Sequence, residues 1–291
     1  MPSADNTSQD TANRSAEQTN EPYTKPIEIR TLDSNAPMRW LRKGIDDFKI
    51  SPMLSLFYGS MYTILGLVMI ATTYQNPIYV YGLVTIFYLV GPIIAVGLYC
   101  MSRHIEAGVK PTFGQGCTAL CYNPVGIVSF AIIVGMLVVF WTIIAATIIA
   151  LVFSNVTITD NLYETILANK DLLPFAGLLA AIGLVFAVIS FSISVISIPL
   201  MTHRKVDVVT AIISSVRVVK QNPGVMLSWG IIIVTVMFLG FAFAFIGIAV
   251  ALPVIGHATW HAYREVIIDH EKIMTADKCD IEAFPFFKGK I

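Results

Sequence analysis

The sequence predicts an all-α polytopic membrane protein, with six transmembrane helices laid out as three helical-hairpin repeats, each preceded by a short amphipathic interfacial helix. Three observations lead there. Of 291 residues, 56% are hydrophobic and 13% charged, against about 25% charged in a soluble domain. Five long runs, Met53–Tyr74, Ile78–Cys100, Val125–Phe153, Pro174–Met201 and Gly224–Gly256, hold no Asp, Glu, Lys, Arg or His. One pattern built around a proline recurs three times. The formal net charge is zero and no long basic or acidic run is present, so no nucleic-acid partner is expected.

Residues 1–36 are polar and nearly free of large apolar groups, which predicts a disordered cytoplasmic tail. They lack the basic start, apolar run and small-residue cleavage site of a signal peptide, so the first membrane helix is expected to do the targeting. The membrane domain is expected over residues 37–269, with spans at about 53–74, 78–101, 125–153, 174–201, 224–243 and 246–266. Each run supplies the roughly 20 apolar residues a crossing needs. "YQNP" closes the first span, and Gly91-Pro92 predicts a kink in the second. The last run, 33 residues without a charge, would measure roughly 50 Å as one helix, against a hydrocarbon core of about 30 Å. Two helices with a tight turn near Phe241–Gly247 satisfy both lengths and bring the spans to six. Residues 270–291 are read as a cytoplasmic C-terminal tail.

The repeat is carried by "GIDDFKISP" (Gly44–Pro52), "GCTALCYNP" (Gly116–Pro124) and "SVRVVKQNP" (Ser215–Pro223). Each places a small residue eight positions before a proline, and an aromatic-small pair begins six positions after it: Tyr58-Gly59, Phe130-Ala131, Trp229-Gly230. "MSRH" (Met101–His104), "MTHR" (Met201–Arg204) and "TWHAYRE" (Thr259–Glu265) close the even-numbered helices. The leading segments are amphipathic. Trp40, Leu41, Gly44, Ile45 and Phe48 share a face, with Arg42, Lys43, Asp46 and Asp47 elsewhere. Val208, Val209, Ile212, Ile213, Val216 and Val219 do the same in the third unit, and the second has a narrow stripe of Phe113, Cys117, Leu120 and Cys121. Such helices lie in the membrane interface, or alternatively pack on the protein. Lys and Arg gather before span one and between spans two and three and four and five, whereas Ser154–Leu173 holds only Lys170. That asymmetry puts both termini in the cytoplasm.

The charge-free core disfavours a carrier of ionic substrates and a charged catalytic group at depth. Ala176, Gly177, Ala180, Ala181, Gly183 and Ala187 suit close helix packing. Ser190, Ser194 and Ser197 share a face, read as packing first and as a neutral-solute lane second. The aromatics gather near span ends, as interface belts do. Cys100, Cys117, Cys121 and Cys279 form no CxxC pair and read as small apolar surface.

Four of the five histidines stand at even-numbered span ends: His104, His203, and the i, i+4 pair His257 and His261. Imidazole is the commonest protein metal ligand. These four are therefore the candidate metal ligands, for a transition metal or haem, with Glu106, Asp207 and Glu265 as nearby acceptors. The competing reading is an interfacial belt, since His, Trp, Tyr and Arg are ordinary where a helix leaves the bilayer. No HExxH, nucleophile constellation or phosphate loop is present, and no cofactor is expected.

"RWLRKGIDDFKISPMLSLFYG" (Arg39–Gly59) and "ALPVIGHATWHAYREVI" (Ala251–Ile267) resemble the opening and closing motifs of a bacterial family of predicted integral membrane proteins, domain-of-unknown-function family number 2189. The resemblance implies a bacterial inner-membrane protein and no established activity. Some members carry a cytochrome c oxidase subunit I-like label, which histidines at helix ends do not support. The expected role is non-enzymatic: a scaffold, assembly factor or membrane organiser in contact with the lipid bilayer and other membrane proteins. A metal- or haem-binding factor, and a channel or carrier for a neutral solute, are the rival readings.

Overall fold

The computed structural model describes residues 27–75, 79–112, 123–153, 173–204, 206–243 and 246–268. The elements are β1 (Glu28–Ile29), α1 (Ala36–Ile50), α2 (Pro52–Gln75), α3 (Tyr79–Glu106), α4 (Pro124–Phe153), α5 (Leu173–Ser194), α6 (Ser197–His203), α7 (Val208–Gln221), α8 (Pro223–Ala242), α9 (Ile248–Val266) and β2 (Ile267–Ile268). The chain is an integral membrane protein built from helices.

Prolines set the helix starts. Pro52, Pro124 and Pro223 each open a long helix, where the missing N–H costs nothing and the residue before is pushed out of the helical region. Counted from each proline, the third residue (Ser55, Ile127, Met226) and the sixth (Tyr58, Phe130, Trp229) are buried. Pro199 explains why α5 and α6 are separate: its ring crowds the carbonyl of Val195, and the helix breaks at Val195–Ile196. The freed Ile196 N–H donates to Ser215 Oγ of α7 at 3.3 Å. The charge-free run divides into α8 and α9, the break falling within the expected turn. α3 runs on through Pro92.

α9 occupies the centre, packed against α1, α2, α3 and α8. Its approach to α2 is close because Gly59 has no Cβ to strike the Ala249 carbonyl, the group that Pro253 leaves without its helical partner. Gly44 does the same for α1, where a Cβ would stand 2.6 Å from the Val254 carbonyl oxygen. Trp40, Trp229, Trp260, Tyr263, Phe130 and Met201 fill the main core. β1 pairs antiparallel with β2, Glu28 opposite Ile268, so the two ends of the membrane domain lie side by side.

Among the described residues, four helices are long and apolar enough to cross a membrane: Pro52–Thr72, Pro124–Leu151, Leu173–His203 and Pro223–Ala242. Large apolar side chains stand exposed along all four, including Ile64, Phe140, Leu184 and Phe238. α9 is apolar only in its first half and carries His257, His261, Arg264 and Glu265 in its second. Enclosed by other helices, it does not need an apolar surface all round.

The leading helices turn protein-ward. Trp40, Gly44 and Asp47 of α1 are buried, as are Ala211, Ser214, Ser215 and Val218 of α7. Asp47 therefore sits with Trp40 and Gly44, not with the solvated charges as its neighbours suggested. The expected stripe of α7 is split: Val209 and Ile213 face outward, while the smaller face packs on α5 and α6. The second leading segment and Cys117, Cys121 and Cys279 lie outside the described residues.

Candidate functional site

The chemistry gathers where α1, α2, α3 and α9 meet. His257 and His261 share a face of α9 because they are four residues apart. α1 brings Asp47, α2 brings Ser55 and α3 brings Ser102, and His257, Ser55 and Ser102 are all wholly buried. The network has one consistent direction. The Asp47 carboxylate only accepts, so Ser102 donates its hydroxyl proton to Oδ2 at 2.6 Å, and His261 Nε2–H donates to the same oxygen at 2.9 Å. With its proton committed, Ser102 Oγ accepts from His257 Nδ1–H at 2.8 Å. His257 Nε2 is then left to accept from the Ser55 hydroxyl at 3.0 Å. Within this network the Asp47 Oδ2, the two serine hydroxyls and both ring nitrogens of His257 have partners, which is what a low-dielectric site demands.

A hydroxyl donating to an imidazole that is itself oriented from behind is the core of an activated nucleophile. Ser55 is wholly buried, however, so no substrate atom reaches it without parting α2 from α9. The geometry is that of a lock between helices.

Two rim pairings flank the network. Glu265 accepts from Trp40 Nε1 at 3.0 Å and from Arg39 at 2.5 Å, and Arg39 also holds Asp33. That guanidinium hydrogen bond draws the Asp33 carboxyl down to about 2. Glu106 accepts from Trp260 Nε1 at 3.0 Å and from Arg264 Nε at 3.1 Å. Asp207 caps α7, accepting from the Val209 and Thr210 N–H groups at 2.9 Å. Its carboxyl is held below the usual range, first by the Thr210 hydroxyl and then by the backbone.

The four candidate ligand histidines are placed apart in their bonding. His257 and His261 belong to the Asp47 network. His203 Nδ1 meets the Tyr263 hydroxyl at 2.7 Å, its ring edge-on to Trp260. His104 Nδ1 bonds the Cys100 carbonyl oxygen at 2.7 Å. Among the described residues, no three His, Cys, Asp or Glu side chains are grouped to hold a metal ion. The anticipated acceptors are otherwise engaged: Glu106 and Glu265 take tryptophans and arginines, and Asp207 takes a helix end. Ser194 donates to the Ser190 carbonyl of its own helix, and Ser197 at the start of α6 donates to the Ile193 carbonyl at the end of α5. Sequence reasoning did not single out Asp47, Ser55 or Ser102. One signal was available: Asp47 follows Trp40 and Gly44 at seven and three residues, a carboxylate on the apolar stripe.

Residues 79–203 match the family model described as a predicted integral membrane protein (DUF2189). The match runs from α3 through α6, between the two motifs that first suggested this family. No curated protein and no solved structure matches the chain.

Proposed function

We propose that this integral membrane protein crosses the bacterial inner membrane six times, with both ends in the cytoplasm. It acts without catalysis, as a scaffold or organiser that associates with lipid and other membrane proteins. Support for an even number of crossings comes from the β1–β2 pair, because hydrogen bonds cannot join strands on opposite sides of a bilayer. α3 and α9 bring the four apolar helices to six. Cation-rich connections argue for the cytoplasmic side.

A three-unit arrangement draws support from packing. α1 lies on α9, the second helix of the third hairpin, and α7 lies on α5 and α6, the second helix of the second. Trp40, Gly44 and Asp47 stand 12, 8 and 5 residues before their proline. Ala211, Ser215 and Val218 hold the same offsets and are likewise buried. Asn123 Nδ2 donates to the Val206 carbonyl ahead of α7 at 2.9 Å. Asn222 does the equivalent ahead of α1, accepting from Leu32 N–H at 2.8 Å and donating to the Arg30 carbonyl at 3.1 Å.

The observation that carries the non-catalytic reading is the enclosure of α9: its imidazoles are committed to Asp47, Ser55 and Ser102. Reporter fusions at both ends test the topology, and opposite-side signals would overturn it. Cross-linking in native membranes followed by mild-detergent isolation tests association. A defined partner or self-oligomer is expected, and a chain that is always recovered alone argues against the role.

A further inference from the structure

We propose that the outward faces of α1 and α7 form a binding surface for anionic phospholipid headgroups. This rests on the membrane reading above, not on the number of spans. On α1 the outward stripe is Met38, Arg42, Ile45 and Lys49, and on α7 it is Val209, Ile213, Arg217 and Lys220, all exposed. Both follow helical spacing, four, three or four, and three or four residues apart. Each stripe mixes bare apolar side chains with cations: Met38 is 56% exposed and Val209 60%.

The cations divide by what faces them. Arg39 and Arg264, turned toward the bundle rim, are paired with carboxylates. Among the described residues, no carboxylate lies within ion-pair distance of Arg42, Lys43, Arg217 or Lys220. Water alone would satisfy these cations and leave the apolar groups exposed, while hydrocarbon alone would do the reverse. The headgroup layer accommodates both, with stems lying in the apolar boundary and charges reaching the phosphates. Unpaired positive charge selects the anionic class of lipid. Both helices run directly into a long apolar helix at Pro52 or Pro223, and the Asn222 clasp onto Arg30 and Leu32 keeps them at one membrane face.

The full chain, isolated in mild detergent and equilibrated with equal phosphatidylglycerol and phosphatidylcholine, provides the test. Retained lipid is counted by native mass spectrometry. Phosphatidylglycerol is expected to exceed phosphatidylcholine by about fivefold or more. The ratio should fall to about one in the Arg42→Gln, Lys43→Gln, Arg217→Gln, Lys220→Gln combination, and also at about 1 M salt, where the Debye length is about 3 Å. An even ratio in the native chain overturns the proposal. So does a preference that survives neutralisation of the four cations or, if that variant fails to fold, one that survives high salt. Opposite-side reporter fusions would end the six-span reading and leave this ratio unchanged.

Discussion

Replacing Asp47 with alanine should cost far more than replacing its neighbour Asp46. Asp47 is 5% exposed and accepts from Ser102 at 2.6 Å and His261 at 2.9 Å. Asp46 is exposed and meets only Lys49, at 3.4 Å. A buried donor left without an acceptor costs about 1–3 kcal/mol. Two donors would be stranded, but one has an escape. With Asp47 gone, Ser102 can donate to His257 Nδ1 if the imidazole changes tautomer, its Nε2–H then donating to the Ser55 oxygen. The full cost then falls on His261 and the vacated space, about 2–4 kcal/mol in all. An exposed pair such as Asp46–Lys49 contributes under about 0.5 kcal/mol. Thermal unfolding in mild detergent, read by tryptophan fluorescence, compares Asp47→Ala with Asp46→Ala. A double-mutant cycle with Ser102→Ala should return a coupling of about 1 kcal/mol or more. Equal midpoints for the two aspartate variants, or no coupling to Ser102, would refute the network as described.

Gly59→Ala should destabilise the chain by about 1–3 kcal/mol, since the new methyl would strike the Ala249 carbonyl and drive α2 from α9. Gly177→Ala, where nothing lies within 4 Å, is the matched control in the same melt. Asp207→Ala should remove about 1 kcal/mol by uncapping α7. Because the Asp207 carboxyl is lowered in the fold, its contribution is complete above the unfolded value of about 3.9. It is lost as pH falls through the lower folded value, so the wild-type advantage over the alanine variant should shrink only in acid. His257→Ala with His261→Ala should lower the melting midpoint and leave the metal content of purified protein unchanged; near-stoichiometric metal released by the pair would instead support the ligand reading.

Helix starts were legible because proline acts locally. The three long helices opening at Pro52, Pro124 and Pro223 needed only the adjacent residue to be read. The division of the 33-residue apolar run was legible from length against bilayer thickness, and α8 ends and α9 begins at Ala242 and Ile248. The site was less so. The i, i+4 spacing of His257 and His261 reports a shared face and says nothing of what faces them. Their partners lie 202, 155 and 214 residues away in sequence, at Ser55, Ser102 and Asp47. α7 shows the same limit: a broad apolar stripe cannot reveal which half meets protein and which half faces outward, and the smaller side chains took the tight contact.

The polar network also sits at a distinctive place. The offset that holds Asp47 in the first unit holds Val218 in the third, and the offset of Ser55 holds Ile127 and Met226. All five positions are buried, and among the described residues the third unit and the second helix start fill this seat with apolar side chains. Among the described residues, the polar seat is the one at the α1–α9 contact, which joins the first and last units. We infer that the network selects this pairing more than it stabilises it, since apolar replacement of a buried polar group as a whole is often neutral or better. Asp47→Val, Ser55→Met, Ser102→Ala, His257→Leu and His261→Leu together should therefore melt no lower than the native chain, although Asp47→Ala alone melts well below it. Closure should suffer instead. Amide exchange at Arg30, whose N–H donates to the Val266 carbonyl at 2.8 Å, should quicken in the fivefold variant. Native-like protection at Arg30 would show that apolar packing specifies the junction unaided, and a large fall in melting midpoint would show that the network is a net source of stability.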